Sequence, residues 1–447
     1  MAKKSVMYVC SNCGAESPTW SGKCYGCEEW NTMEELVTKG EVAKVTTSGQ
    51  RLQSVPMHKA FEKDTKRLKT NQQEVDAVLG GGLVAGSVVL VAGQPGIGKS
   101  TLLLQLANAV SRSAKVLYVS GEESAHQVSM RAKRLKTQSE SLQLASSTIT
   151  DDIAATIAND GYDLVVVDSV QTIACNAINS APGNVSQITN STNMIVAAAK
   201  GSSTAVLLVG HVTKEGNIAG PKILEHIVDV VLQIEGDRYG GFKMLRAIKN
   251  RFGSTNETAI FEMNELGMQP VDNPSAALLE ERQVSDGSIV LATMQGTRPL
   301  LVEVQALVNK TSYGYPKRAA SGVDLNRVNL LIAMLERRTK LNLSDKDIYI
   351  NIVGGIRLTE PAADLAIVMA IASAAKGMQL KKNSVVFGEL GLSGEVRHVS
   401  FIEKRIAEAT KLGFEGAIGP RVKSKSKPAH YTAVADVRGA LNSLLEK

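Results

Sequence analysis

Two patterns of hydrophobic and polar positions follow one another along this chain. Between about Phe61 and Pro270, short runs of Val, Leu and Ile alternate with segments of helical periodicity, which predicts a parallel β-sheet with helices on both faces. The predicted strands of this part are Ser87–Ala92, Val116–Ser120, Leu164–Asp168, Ala205–Gly210, Val228–Glu235 and Lys243–Ile248.

The second pattern begins after the polar segment Asp272–Ser275, which we interpret as a domain boundary. The predicted strands are Gly287–Gln295, Leu300–Val308, Ile348–Ile352 and Ser384–Gly388, and the predicted helices are Asn326–Thr339, Ala362–Ala375 and Ile402–Leu412. This mixture predicts an α/β domain of its own over residues 275–447.

A compact unit and a linker are predicted ahead of the first sheet. Residues 1–30 combine cysteines, glycines and two tryptophans, whereas residues 31–60 are polar and read as a linker. The first α/β domain is then expected to span residues 61–271.

Composition indicates a globular protein without identifying a partner. Hydrophobic residues make up 44% and charged residues 21% of the chain, and Lys and Arg exceed Asp and Glu by 50 − 44 = 6. This mild excess tolerates a polyanionic partner but does not show one, since surplus Lys is often a solvated surface. The sequence contains no apolar run of signal-peptide type at its start and no stretch near the ~18 apolar residues of a membrane span. We therefore expect a cytoplasmic protein that is not associated with a membrane.

Four of the five cysteines form two C-x-x-C pairs, Cys10 with Cys13 and Cys24 with Cys27. A reducing cytosol disfavours disulfides, so these pairs predict metal ligands. Four thiolates at this spacing are typical of a structural Zn²⁺ site whose metal supplies much of the folding free energy. An iron–sulfur cluster is the less favoured alternative. The fifth cysteine, Cys175, is interpreted as an inert thiol near a strand end.

The sharpest motif matches G-x-x-x-x-G-K-[ST] and lies between an apolar strand and a helical stretch. It comprises Gly93, Gln94, Pro95, Gly96, Ile97, Gly98, Lys99 and Ser100, and Thr101 begins the stretch that follows. Glycines let successive backbone N–H groups point at one anion, and the helix N-terminus adds partial positive charge. Lys99 is predicted to reach the β- and γ-phosphates, and Ser100 to offer its hydroxyl to Mg²⁺. The motif therefore predicts a site for ATP or ADP with Mg²⁺.

Carboxylates follow two other predicted strands. Asp168 ends the strand Leu164–Asp168 and is predicted to hold the hydrated Mg²⁺. Glu122 and Glu123 follow the strand Val116–Ser120, and one of them is expected to orient or deprotonate the attacking water. The residues alone do not separate these two glutamates.

The order of the motifs resembles that of a known family. A glutamate on the strand adjacent to the phosphate-loop strand, with Asp168 further along, is the layout expected of a RecA-type ATPase. The four-cysteine unit, the phosphate loop, Gly210–Gly216 (Gly-His-Val-Thr-Lys-Glu-Gly) and Lys249–Gly253 (Lys-Asn-Arg-Phe-Gly) then occur in this order. Over essentially its whole length, the chain resembles the bacterial RadA (Sms) family of recombination and DNA-repair proteins.

This resemblance implies a RecA-like core assembled as a homo-hexameric ring, similar to DnaB-type helicases. It identifies Glu122 as the catalytic glutamate. It also assigns Lys249 and Arg251 an in-trans role, in which cations of one subunit contact the γ-phosphate held by its neighbour. His211 is expected either to sense the state of the nucleotide or to be structural.

The same resemblance places DNA-facing loops in two segments. One is Thr213–Lys222, in which Lys214 and Lys222 are available for phosphates. The other is Asn176–Asn193, a polar segment that we interpret as lacking an apolar anchor.

Residues 275–447 resemble the proteolytic domain of Lon. Ala362 occupies the position of Lon's nucleophile, and the position of its lysine partner falls at Glu403, next to Lys404. A Ser-Lys dyad requires a hydroxyl for attack, and Ala362 has none. We therefore predict an oligomerisation scaffold that is not an active protease.

Basic residues of this scaffold have two interpretations. Arg318, Lys423 and Lys425 either contact DNA or remain on a solvated face.

The predicted function is that of a DNA-dependent ATPase in homologous recombination and DNA repair. It would process recombination intermediates by moving on single-stranded DNA, as a helicase or branch-migration motor, together with other recombination or replication proteins. One alternative is an ATP-dependent protease, which needs a reactive serine. The other is a nucleotide-switched binding hub, whose turnover DNA would not stimulate.

Overall fold

The computed structural model describes residues 7–36, 56, 67–211, 223–236, 241–312, 314–380, 383–422 and 430–446. The chain divides into two compact units, Met1–Asp64 and Thr65–Lys447. Most of the predicted linker 31–60 and the predicted DNA loop Thr213–Lys222 lie outside the described residues. No helix of the described part is long and apolar enough to cross a membrane.

The small unit is built on a three-stranded antiparallel sheet. Its strands are β1 (Met7–Cys10), β2 (Glu16–Ser17) and β3 (Met33–Leu36), in the order β2–β1–β3. The buried hydrophobic cluster of its described part comprises Cys10, Cys24 and Met33. Since so small a core buries little apolar surface, a cross-link or a metal is needed to stabilise this unit.

The large unit begins with a nine-stranded sheet. Its strands are β4 (Val88–Gly93), β5 (Val116–Ser120), β6 (Leu142–Ser146), β7 (Leu164–Asp168), β8 (Ala205–His211), β9 (Val230–Gly236), β10 (Phe242–Asn250), β11 (Thr258–Asn264) and β12 (Gly267–Pro270). Their order is β12–β11–β10–β9–β4–β8–β7–β5–β6. The six strands from β9 to β6 are parallel, and β10, β11 and β12 extend the sheet in antiparallel fashion.

Helices cover both faces of this sheet. They are α1 (Gln73–Val78), α2 (Lys99–Val110), α3 (Ala125–Arg134), α4 (Thr150–Asn159), α5 (Val185–Ser202) and α6 (Ile223–Ile227). Alternate residues of β4 enter different cores, because successive side chains of a strand point to opposite faces. Val89 and Val91 join the core that contains α2, whereas Val88 and Leu90 join the core that contains α5.

All six predicted strands of this sheet are found, with ends shifted by up to two residues. The prediction that the glutamate-bearing strand is adjacent to the phosphate-loop strand is wrong, because β8 and β7 lie between β4 and β5. Crossover connections let parallel strands that follow one another in the chain lie apart in the sheet.

The interpretation of Asn176–Asn193 as a loop without an apolar anchor is wrong for its second half. Helix α5 begins at Val185, and Ile188 is fully buried in the core beneath it. Ser191 and Thr192 are also buried there. Because these residues recur at helical spacing, they form one buried face of the helix, which the polar composition of the segment does not reveal.

The second sheet follows residue 275. Its strands are β13 (Ser288–Gln295), β14 (Arg298–Lys310), β15 (Arg318–Ser321), β16 (Lys346–Ile352), β18 (Ser384–Val386), β21 (Gly416–Pro420) and β22 (Tyr431–Val434). Their order is β15–β16–β14–β13–β18–β21–β22. Two short pairs accompany it, β17 (Gln379–Leu380) with β23 (Leu445–Glu446) and β19 (Glu389–Leu390) with β20 (Val396–Arg397).

Five helices pack with the second sheet. They are α7 (Pro274–Leu279), α8 (Leu325–Thr339), α9 (Asp364–Lys376), α10 (Ile402–Lys411) and α11 (Val437–Leu444). Helix α9 is the central one, since its residues from Asp364 to Ser373 are all buried. Such a helix, apolar on every side, is typical of an element enclosed by a core.

The two sheets share packing through β10 and β11. Leu245 and Phe261 lie in the core of the first sheet, whereas their neighbours Met244 and Ile260 lie in the core of the second. One pair of strands therefore has a hydrophobic surface on each face, which joins the two sheets within the large unit.

Candidate functional site

The phosphate loop connects β4 to α2 and needs glycine at two positions. Gly96 and Gly98 have φ values of +78° and +110°, in the left-handed region that favours glycine. A Cβ on Gly98 would also lie 2.5 Å from Met263 Cε. The loop therefore keeps its backbone N–H groups accessible next to the N-terminus of α2, which is the arrangement that binds phosphates.

Lys99 is buried at the start of α2, with 4% of its surface exposed. Its Nζ donates to the carbonyl oxygens of Gly93 at 2.9 Å and Gln94 at 3.0 Å. Burial lowers the pKa of Lys99 to about 8, against the opposing charges of Asp168 and Glu122. The ammonium group is thus held at the loop, in a position to exchange these carbonyl contacts for phosphate oxygens.

Asp168 lies at the end of β7, two strands from β4, and 6% of its surface is exposed. Its Oδ2 accepts a hydrogen bond from the Tyr118 hydroxyl at 2.6 Å. Burial and the Asp168 charge raise the pKa of Tyr118 well above its ordinary value, so the phenol remains a donor. Tyr118 thereby fixes one carboxylate oxygen, and the donor set of Asp168 and the Ser100 hydroxyl suits Mg²⁺, which prefers oxygen ligands.

The structure separates the two glutamates that the sequence left open. Glu122 Oε1 lies 2.7 Å from Ser169 Oγ and 3.1 Å from His211 Nε2. Glu123 instead forms an ion pair with Arg131 of α3. Burial opposes ionisation of Glu122, but the hydrogen bonds from Ser169 and His211 outweigh it and lower the pKa of Glu122. Its carboxylate is therefore kept charged beside Lys99 and Asp168.

His211 ends β8, the strand next to β4, and its register partner is Gly93 at the start of the phosphate loop. Its Nδ1 is buried and has no hydrogen-bond partner among the described residues. Since Nε2 contacts Glu122, His211 links that carboxylate to the segment that begins at residue 212. Ser169 and Tyr118 were not recognised from the sequence, although Ser169 directly follows Asp168.

Lys249 and Arg251 lie at the other end of β4 from the phosphate loop. Lys249 belongs to β10, beside a bulge, and its Nζ donates to the carbonyl oxygens of Glu225 at 2.6 Å and Val228 at 2.7 Å. Burial and the nearby charge of Arg251 lower the pKa of Lys249. In this conformation Lys249 satisfies carbonyl groups at the C-terminus of α6.

Arg251 is held by Asp229, a buried carboxylate that the sequence did not single out. Arg251 Nη1 lies 3.4 Å from Asp229 Oδ1, and Asp229 Oδ2 accepts from the Val88 N–H at 3.1 Å. Val88 begins β4 and Gly93 ends it, so five steps of about 3.3 Å put roughly 17 Å between this contact and the phosphate loop of the same chain.

The rest of the Lys-Asn-Arg-Phe-Gly turn serves packing. Arg67 Nη2 donates to the Phe252 carbonyl at 2.8 Å. A Cβ on Gly80 would lie 3.1 Å from the Gly253 Cα, so both glycines permit a close approach of two backbones. These contacts fix the direction in which the chain continues after Arg251.

The four cysteines of the small unit converge on one point. Cys10 Sγ and Cys27 Sγ are 3.6 Å apart, as are Cys13 Sγ and Cys24 Sγ, and all four sulfurs lie within 4.8 Å of one another. A tetrahedron with Zn–S distances of about 2.3 Å has edges of about 3.8 Å, whereas a disulfide would bring two sulfurs to about 2 Å. The spacing fits a bound Zn²⁺. The Gly26 N–H also donates to Cys24 Sγ at 3.3 Å, as expected around a thiolate.

In the Lon-like region, the buried cation of the segment 403–405 differs from the residues that the sequence suggested. Ala362 is buried, and both Glu403 and Lys404 are exposed. Arg405 is the fully buried cation, and it forms a bidentate ion pair with Glu360, two residues before Ala362. Glu403, to which the sequence assigned the position of the lysine partner, is thus exposed, whereas the buried cation of this segment lies two residues later.

Arg405 has additional acceptors that fix it in place. Its Nη1 donates to the Ala292 carbonyl at 2.6 Å, and its Nε donates to the Ser400 carbonyl at 3.0 Å. Glu360 Oε2 accepts from the Thr293 hydroxyl at 2.9 Å. The pair thus connects three parts of the domain. Arg318 lies in β15, whereas Lys423 and Lys425 are outside the described residues.

Three families match successive parts of the chain. Residues 8–35 match a family described as rubredoxin metal binding domains, residues 55–217 match AAA domains, and residues 314–423 match subunit ChlI of Mg-chelatase. These matches and the two sheets confirm the predicted fold class: a RecA-like P-loop core preceded by a four-cysteine zinc unit and followed by a Lon-like α/β domain.

Curated relatives match over nearly the full chain. The DNA repair protein RadA of Bacillus subtilis is 48% identical over 456 residues, which cover 100% of both chains. The protein of the same name from Pseudomonas aeruginosa is 45% identical over 454 residues, again 100% of both. That of Listeria monocytogenes is 46% identical over 424 residues, 94% of this chain and 93% of its own.

Proposed function

Because this chain belongs to the RadA family of DNA repair proteins, we propose that it is an ATP hydrolase that couples turnover to movement on single-stranded DNA. The observation that supports this most is the convergence of Lys99, Glu122 and Asp168 at the carboxyl ends of the parallel strands. In open parallel sheets, ligands bind at this edge.

Each of these residues has a role in the proposed reaction. Lys99 would contact the β- and γ-phosphates, and Glu122 would orient the attacking water and accept its proton. The residues from Gln94 to Gly98, except Pro95, would donate their backbone N–H groups to the phosphates. Thr101 would lie next to the α-phosphate. Asp168 and Ser100 would hold Mg²⁺, which when bound neutralises charge on the phosphates.

The position of Lys99 suits a site for a polyphosphate. Its ammonium now rests on two loop carbonyls, which a polyphosphate would replace with stronger, charge-assisted hydrogen bonds. Glu122 is ionised and held by two donors, as a general base needs to be before the substrate binds.

Lys249 and Arg251 support the proposal of a ring, the homo-hexamer that the resemblance implies. They lie at the far end of β4 from the phosphate loop of their own chain, so a γ-phosphate that they contact would have to be bound by an adjacent subunit. An in-trans arginine stabilises the charge of the transition state and links hydrolysis to the position of the neighbour.

We further propose a role for each of the remaining parts of the chain. The segment Thr213–Lys222 would contact single-stranded DNA through Lys214 and Lys222, since it follows His211 at the nucleotide edge. Cys10 to Cys27 would hold a structural Zn²⁺ in a unit of residues 1–30. Residues 61–271 would be the cytoplasmic motor, with other recombination or replication proteins as its partners.

Residues 275–447 would act as a scaffold rather than a protease. The position of the nucleophile carries the methyl group of Ala362, and the buried Arg405 is neutralised by Glu360. A guanidinium remains protonated in proteins and cannot activate a nucleophile as a neutral lysine does.

The decisive experiment is ATP hydrolysis by the full chain with no DNA, with duplex DNA and with single-stranded DNA. If the protein is a motor, single-stranded DNA should stimulate its ATP hydrolysis several-fold. The Lys99→Ala variant should not hydrolyse ATP under any of the three conditions. Turnover that is the same with and without DNA would favour the nucleotide-switched hub. Labelling of a serine by an acylating probe, with peptide cleavage, would favour the protease.

A further inference from the structure

A cavity of about 650 Å³ lies between the two sheets of the large unit, beside the phosphate loop. The first sheet contributes the end of β9, residues 233–236, and Met244 and Arg246 of β10, and the loop contributes Gln94 and Ile97. The second sheet contributes Gln295, residues 321–323 and residues 355–357 with Thr359. This volume is in the range of small-molecule sites.

The cavity shares Gln94 and Ile97 with the phosphate loop but contains none of the residues proposed for hydrolysis. The strand β4 has β8 on one side and β9 on the other. Asp168, Glu122 and His211 lie on the β8 side, whereas the cavity is lined from the β9 side. The phosphate loop therefore forms a wall shared by two spaces, only one of which contains the residues of hydrolysis.

Arg246 lines this cavity as one partner of an ion pair. Its Nη2 pairs with Glu235 Oε1 at 2.6 Å, but its Nε is buried without a hydrogen-bond partner among the described residues. The Arg246 side chain as a whole is 40% exposed, so it is not enclosed by the protein.

Arg357 reaches the same cavity from the second sheet. It is exposed, and within the described part of the chain no hydrogen bond or ion pair involves its side chain. Two arginines, Arg246 and Arg357, thus line one space from opposite walls, together with Gln233 and Gln295. Among the residues that line the cavity, Glu235 is the one carboxylate, and it neutralises the charge of Arg246. The positive charge of Arg357 is therefore not compensated within the described lining.

We propose that this cavity is a second ligand site, which binds a small anion with a phosphate group through Arg246 and Arg357. Phosphate oxygens match the forked donors of two guanidinium groups better than a single carboxylate does, because they offer acceptors in several directions. The occupied site would join the phosphate loop to the Lon-like domain through one ligand. Inorganic phosphate and a phosphate monoester share the chemistry that the site recognises.

The test uses the full chain with Lys99→Ala, which removes the cation of the nucleotide site and changes no residue that lines the cavity. Inorganic phosphate and glycerol 3-phosphate are titrated separately by calorimetry at constant ionic strength. One equivalent of either ligand per chain supports the proposal, and the tighter of the two identifies free phosphate or an ester as the natural form. Arg357→Gln, added to Lys99→Ala, is expected to weaken binding about tenfold or more, the value of a charge-assisted hydrogen bond.

A matched control is Arg397→Gln, which removes an exposed arginine paired with Glu395 at 2.7 Å. It should leave the affinity unchanged. Binding of neither ligand, equal binding in the Arg357→Gln variant, or phosphate binding that is lost with Lys99→Ala alone would overturn the proposal. If Arg246→Gln does not fold, the exposed Arg357 still provides the test. Loss of ATP hydrolysis does not affect this outcome, since the assay needs no turnover.

Discussion

His211 and Glu122 come from the ends of different strands, and the His211 Nε2 atom lies 3.1 Å from Glu122 Oε1. Ser169 Oγ lies 2.7 Å from the same oxygen. One oxygen of the proposed general base is thus fixed by two groups. Its orientation depends on residues at the ends of β7 and β8, and β8 leads directly into the proposed DNA loop.

The His211→Ala variant is expected to slow hydrolysis by about tenfold or more, since a misplaced general base loses part of a contribution of roughly 10²–10⁴. The sign of its pH effect follows from the pKa. His211 contributes to lowering the pKa of Glu122, so its removal raises that pKa, and the acid limb of the rate profile moves to higher pH. Steady-state rates between about pH 5 and pH 8, with nucleotide affinity measured in parallel, check this prediction.

The matched control is His398→Ala, which removes an exposed histidine of the Lon-like region. Its profile should coincide with that of the wild type. An unshifted acid limb in the His211→Ala variant would show that the contact does not set the protonation of Glu122.

Lys99 predicts a pH dependence of nucleotide binding. Burial lowers its pKa to about 8 in the free protein, whereas bound phosphates need the charged ammonium. Below about pH 8 the charge is already present; above it, binding must take up a proton, so affinity falls by up to about tenfold per pH unit. Calorimetric titration of ADP at several pH values, in buffers of different ionisation enthalpy, measures both the affinity and the proton uptake.

An affinity that stays constant from pH 7 to pH 9.5, without proton uptake, would contradict this prediction. The control is Lys133→Ala, which removes an exposed lysine of α3 and should leave the pH dependence unchanged.

Much of the first sheet could be predicted because its strands are buried on both faces. Such strands are continuous apolar runs, as in Leu164–Asp168, whose bounds agree with the prediction. The strand β6 (Leu142–Ser146) alternates apolar and polar residues at the sheet edge, with no residue fully buried, and was missed. The order of strands across the sheet could not be deduced either, since it depends on how each crossover packs.

The side-chain partners were harder to predict than the motif. Glu122 and Glu123 are adjacent in sequence, and only the local backbone turns one toward Ser169 and the other toward Arg131. Asp229 contacts Val88, which is 141 positions away in the chain. No local pattern marks such a pair, because the fold alone brings the two residues together.

Arg251→Ala tests the in-trans role. The variant should bind nucleotide with wild-type affinity, because Arg251 lies far from its own phosphate loop, but it should lose DNA-stimulated turnover. When it is mixed with Lys99→Ala chains, which are also inactive alone, turnover should appear, since the intact nucleotide site of an Arg251→Ala chain can then receive the arginine of a Lys99→Ala neighbour. Rates across a mixing series check this.

Absence of turnover at every mixing ratio would exclude an in-trans role. Arg397→Ala is the matched control, because it removes an exposed arginine that is paired with a carboxylate, as Arg251 is with Asp229. On its own, the Arg397→Ala variant should keep the DNA-stimulated rate of the wild type.

Cys24→Ser tests the metal centre of the small unit. Loss of one of four converging thiolates should release Zn²⁺, and the unit should lose structure because the metal supplies much of its folding free energy. Elemental analysis of the purified full chain should find about one zinc per wild-type chain and much less in the variant. Cys175→Ser, at a buried cysteine outside the cluster, should keep its zinc; equal zinc in both variants would contradict the site.

The ion pair of Arg405 and Glu360 predicts that these two residues have a structural role in the Lon-like region. Consecutive residues of a helix are turned by about 100°, so only Arg405, and neither Glu403 nor Lys404, faces the core. Arg405→Leu should destabilise the domain by about 3 kcal/mol, the lower end for a broken buried pair, since a quarter of the Glu360 side chain remains exposed. Combining it with Glu360→Leu should restore part of that loss, because no charge is then left unpaired. Urea denaturation of the full chain measures both effects, and Lys404→Leu, at an exposed position, should change the stability by less than about 0.5 kcal/mol. A single variant as stable as the wild type would show that the pair does not hold the domain together.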